Sequence, residues 1–115
     1  MEPAPLDADK LTWAVLLGRW VSFARSAVAL PRAGDAGLLR ESVPDLIMLQ
    51  AVWFALQHLD GLPADERALG LDRARVLIEK HEAALRDRFG AALPPQAREL
   101  IGDAHSELRR ATAVV

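Results

Sequence analysis

Residues 46–56 read Leu-Ile-Met-Leu-Gln-Ala-Val-Trp-Phe-Ala-Leu, with Gln50 as the one polar side chain. The run is too long for an ordinary buried strand and fits three turns of helix. A helix that is apolar nearly all round is normally buried. Leu46, Leu49, Trp53 and Leu56 share one arc. Met48, Val52, Ala55 and Leu59 share the next, and Ile47 and Phe54 lie beyond a polar stripe of Gln50 and Gln57. Either this is a central helix wrapped by others, or part of its surface is closed by a partner. Ser42-Val43-Pro44-Asp45 reads as its start, with a capping serine, a proline in the first turn and an acid at the third position. The reading carries the helix to Asp60, and Gly61 ends it.

Outward from this run, the spacing predicts three more helices. The first is expected from Asp7 or Asp9 to Leu30, its acids suiting the helix dipole. Trp13, Leu16, Leu17, Trp20, Phe23, Ala24, Ala27 and Val28 share one side, and Thr12, Arg19, Ser22 and Ser26 the other. Pro31 stops it. Residues 31–41 carry two glycines and a proline and read as the longest loop.

After Gly61, a short helical turn is expected near residues 64–69, because Leu69 is out of phase with the later apolar positions and is succeeded by Gly70. A main helix from Leu71 to Phe89 then presents Leu71, Ala74, Leu77, Ile78, His81, Ala84, Leu85 and Phe89 inward. Glu82 and Arg86 form an i,i+4 pair on its charged side, and Gly90 ends it. Pro94-Pro95 opens the last helix, to about Ala111, with Ala97, Leu100, Ile101, Ala104, Leu108 and Ala111 inward. Residues 1–6 and 112–115 are expected to fray. Leu62-Pro63, Arg67, Leu69, Asp72 and Leu77 recur 31 positions later as Leu93-Pro94, Arg98, Leu100, Asp103 and Leu108. Common helix-start chemistry accounts for this echo more simply than an array of repeats.

The expectation is therefore a single all-α domain over residues 1–115, a compact bundle of four main helices. Of the 115 residues, 51% are hydrophobic and 26% charged, which suits a globular domain. No tyrosine and no alternating run argue for strands. With no cysteine, disulfides and thiolate chemistry are excluded, and a cytoplasmic protein is the default expectation. Residues 1–7 lack the basic start of a signal peptide. Residues 11–30 have the length of a membrane span but carry Arg19 and Arg25, so they read as an amphipathic helix and no membrane role is expected. The net charge is −2. Neither half is basic: five Lys and Arg stand against seven Asp and Glu before Leu62, and nine against nine after it. Nucleic-acid binding is not expected without a basic field.

Candidate chemistry is sparse. His58, His81 and His105 fall on three helices, an arrangement that can build a bundle metal site. No Glu-x-x-His pair accompanies them, and a hydrogen-bonded core His81 with two boundary histidines is the simpler reading. Glu79 and Glu82 sit on a charged face without a cleft to shift them. No nucleophile elbow or phosphate loop is present, so no enzyme, metal or cofactor is expected. Arg19, Arg25, Arg32 and Arg40 are candidates for an anion site, and His81 with Arg19, Arg25 and Arg40 for a small-ligand site. Trp13, Trp20, Trp53 and Phe54 are candidate interface anchors, since tryptophan is enriched at binding hot spots. Gln50 and Gln57 would fix their register. The function expected is a non-enzymatic helical interaction module, pairing with itself or another protein. The alternative is a ligand- or metal-binding bundle.

Overall fold

The computed structural model describes residues 11–27 and 40–114. It forms four helices and no strand among those residues: α1 (Trp13–Ala27), α2 (Val43–Gln57), α3 (Ala64–Phe89) and α4 (Pro95–Val114). Tight 3₁₀ turns at Arg40–Ser42, Leu59–Gly61 and Gly90–Ala92 precede α2, α3 and α4. No helix among the described residues is long and apolar enough to cross a membrane.

The apolar run becomes the centre of the fold, because α2 packs against all three other helices. Leu46, Leu49, Ala51, Val52, Ala55 and Leu56 are buried. All of these but Ala51 form one core with Trp13 and Leu16 of α1, Ala74, Ile78 and Leu85 of α3, and Ala97, Ile101, Ala104 and Ala111 of α4. The inward faces expected of α3 and α4 supply that core.

Several boundaries differ from expectation. Within the described residues α1 begins at Trp13, where the Thr12 hydroxyl accepts the Val15 N–H at 3.2 Å. Thr12 thus caps the helix rather than lying on its polar side. The acidic start, the stop at Pro31, Arg32, residues 31–39 of the loop and the N-terminal fraying lie outside the described residues. The serine at the start of α2 makes no capping bond. Its buried hydroxyl accepts from Arg88 at 2.7 Å, and Asp45 is taken by His81. At its other end α2 stops at Gln57 rather than Asp60, and the chain tightens into the 3₁₀ turn Leu59–Gly61. Thr112 remains helical, its hydroxyl donating to the Leu108 carbonyl at 2.7 Å.

The largest difference is at Gly70. Residues 64–69 are helical, but they run without a break into the rest of α3. Gly70 is buried against the Trp13 ring: a Cβ there would lie 2.8 Å from Trp13 Cε3 and 3.0 Å from Leu59 Cδ2. The glycine serves close packing of α1 on α3, not a helix break. A break of the other kind occurs at Gly90, whose φ of +57° closes α3 as expected.

The sequence echo has a local structural counterpart. Each copy has a 3₁₀ turn, a buried leucine, a proline and a helix whose arginine reaches back. The Arg67 guanidinium donates to the Leu62 carbonyl at 2.9 Å, and Arg98 to Leu93 at 3.0 Å. The likeness ends within a few turns, where buried Ile78 corresponds to exposed Arg109. It is one helix-start solution used twice, each arginine donating to the carbonyl of the buried leucine just before the proline.

Candidate functional site

Among the described residues, the three neighbouring helices leave one side of α2 only partly covered. Val43, Ile47, Gln50, Phe54 and Gln57 are all half-buried, and their 4-3-4-3 spacing is that of a heptad seam. The stripe is legible in the sequence once the central role of α2 is known. Before that, it is hidden among apolar residues on every side.

Aromatic rings close over one flank of this stripe. Trp20 stacks on Phe54 with centroids 4.8 Å apart and on His58 at 4.9 Å. Phe54 and His58 are four residues apart, so both reach the same indole from α2 and its C-cap. Phe23 stands edge-on to Trp20 and Phe54, at 5.4 and 5.3 Å. Trp53 tilts against Phe54 at 4.9 Å. Phe23 is 48% exposed, which corrects its expected place on the inward side of α1. It sits at the edge of that arc, where Trp20 and Phe54 already fill the seam.

An open groove of about 460 Å³ adjoins these rings, lined by Leu11, Leu16, Arg19, Trp20, Phe23, His58, Asp60 and Gly61. It brings together Arg19, expected to bind a ligand, and Trp20, expected to anchor a partner. His58 and Asp60 join them without having been singled out for this role. The closing 3₁₀ turn that carries Asp60 and Gly61 to the groove has no clear sequence signal.

The other candidates lie elsewhere. Trp13 is only 4% exposed and is committed to the core against Gly70. Arg25 and Arg40 are exposed and do not line the groove. His81 is engaged away from it, where its Nδ1–H donates to Asp45 at 2.7 Å and ties α3 to α2. The next residue ties α3 to α4: Glu82 accepts from His105 Nε2–H at 2.6 Å and from Arg86 at 2.8 Å. Burial raises the pKa of Glu82, but the hydrogen bonds and positive charges of His105 and Arg86 together outweigh it and hold the carboxyl below its usual value. The three histidines therefore do not converge. Among the described residues, no group of three or more histidines and acids is placed to hold a metal ion.

The surface thus offers exposed aromatic area, uncharged amides and a shallow groove with both charge signs. No known protein family, characterised protein or solved structure gives a significant match to the chain.

Proposed function

We propose that this chain is a non-enzymatic helical interaction module that associates with itself through the outer face of α1 and α2. The observation that carries the reading is the half-buried heptad stripe of α2, flanked by a ring cluster in which Phe23 is 48% exposed. Aromatic rings dominate the energetics of interfaces. Trp20, Trp53 and Phe54 are the anchors, with Phe23 beside them, and Gln50 and Gln57 set the register. Trp13 belongs to the core.

Light scattering on a sizing column, across a dilution series, tests this. The expected result is a dimer that Trp53→Asp converts to a monomer with an unchanged circular dichroism spectrum. A folded Trp53→Asp variant of unchanged mass, or a wild-type monomer at every concentration, overturns the reading.

The groove favours a second reading, a small-ligand site in which Arg19 and His58 hold an anion and Trp20 stacks on a planar group. Its expected mark is a rise in melting temperature with aromatic carboxylates that Arg19→Ala abolishes. No shift across such a series removes it.

A further inference from the structure

The open stripe of α2 is nearly symmetric about Gln50. None of its five side chains is charged, and the flanking charges differ in sign: Arg40 lies three residues before Val43, and Asp60 three after Gln57. Both are exposed. Glu41, beside Arg40, falls off the stripe's spacing. Counted from Gln50, Ile47 lies three residues before and Phe54 four after, Val43 and Gln57 seven on either side, and Arg40 and Asp60 ten.

We propose that the self-association inferred above places two copies antiparallel, across a two-fold axis at Gln50. This arrangement rests on that reading and adds its geometry. A carboxamide both donates and accepts, so two Gln50 side chains satisfy one another across the axis, which two like charges cannot do. Ile47 packs on the partner's Phe54, and Val43 on the stem of the partner's Gln57. Arg40 reaches the partner's Asp60 at each end. Arg110 also feels the charge of Asp60, but its own hydrogen bonds go to Glu107, at 2.6 and 3.1 Å. An isologous contact uses the same patch on both copies. An axis perpendicular to α2 within the contact plane also sets α1 opposite the partner's α1, which brings Phe23 under cover. The parallel alternative aligns the two helix dipoles and sets Arg40 against Arg40 and Asp60 against Asp60.

The absence of cysteine makes the test clean. Single-cysteine variants Gln50→Cys, Arg40→Cys and Asp60→Cys are made in the full chain, and circular dichroism confirms their folding. Mild oxidation is expected to link Gln50→Cys to itself, since a disulfide needs Cα atoms within about 7 Å. A short bismaleimide is expected to link Arg40→Cys to Asp60→Cys in a mixture, and neither to itself. If Gln50→Cys perturbs the contact, a mixture of Val43→Cys and Gln57→Cys reports the same axis and is expected to cross-link. A dimer by mass in which Arg40→Cys links to itself, or in which no Gln50 or Val43–Gln57 link forms, overturns the antiparallel arrangement and leaves self-association standing. A monomer by mass overturns both.

Discussion

The inner and outer sides of α2 are built from similar residues and differ in what covers them. Leu49, Val52 and Leu56 on the inner side are fully enclosed by α1, α3 and α4. Ile47, Phe54 and Trp53 on the outer side are only half-buried. Apolar character is therefore a poor guide to whether a residue stabilises the fold or serves a surface. Covering is set by how many helices one chain brings to a central one, and here, among the described residues, three helices leave one side of α2 only partly covered.

Leu56→Ala gives the largest expected effect and tests the inner side. It removes a fully buried side chain that three helices hold in place, so the cavity collapses only in part. The expected loss is about 2–5 kcal/mol in chemical denaturation. Phe23→Ser on the outer side should cost about 0.5 kcal/mol or less, as for surface substitutions generally, while weakening the proposed self-association. Equal losses at the two sites would break the comparison.

Gly70→Ala comes next and concerns how α1 is attached. In an open helix the change would stabilise by about 1 kcal/mol through helix propensity. Here the new Cβ meets the Trp13 ring at 2.8 Å, and a ring held in the core has little room to move. Overpacking of this kind costs about 1–3 kcal/mol, so a net destabilisation is expected. Trp13→Leu in the same chain should restore part of it. A stabilised Gly70→Ala variant would mean that α1 sits loosely on α3, and the contrast between covered and open sides of the bundle would fade.

The helices are legible in the sequence because their apolar spacing is local information. Ile78, Leu85, Ala97, Ile101 and Ala104 all lie inside, as 3.6-residue periodicity requires. Gly70 misleads because a glycine has the same sequence signature whether it ends a helix or admits a ring, and only Trp13 decides between them. The same holds for Ser42 and Asp45, which look like a cap until Arg88 and His81 arrive from residues more than 30 positions away. Of the candidate surface, the rings and Gln50 with Gln57 can be named from sequence. Their grouping with Arg19, His58 and Asp60 depends on the 3₁₀ turn after α2. The exposure of Phe23 depends on how far round α1 its neighbours reach.

The smallest expected effect lies in the polar ties of α3, which hold the covered side together and do not touch the outer stripe. His81 and Glu82 are adjacent and face different partners, Asp45 on α2 and His105 on α4. Because the Glu82 carboxyl titrates below its usual value of 4.5 when folded, its contribution to stability is present above that value. It is lost as pH falls through the depressed folded value, where both folded and unfolded chains bind the proton. Glu82→Gln is neutral at every pH. The gap in melting temperature between wild type and Glu82→Gln should therefore be widest near pH 6 and shrink as the pH is lowered from 5 toward 3. A gap that stays constant would mean that the carboxylate charge contributes nothing, and that the tie from α3 to α4 is held by shape and neutral hydrogen bonding alone. The mass in solution should be the same for both proteins at pH 6, because no residue of the tie lies on the open side of α2. A change in mass would couple the covered side to the open one and overturn their separation.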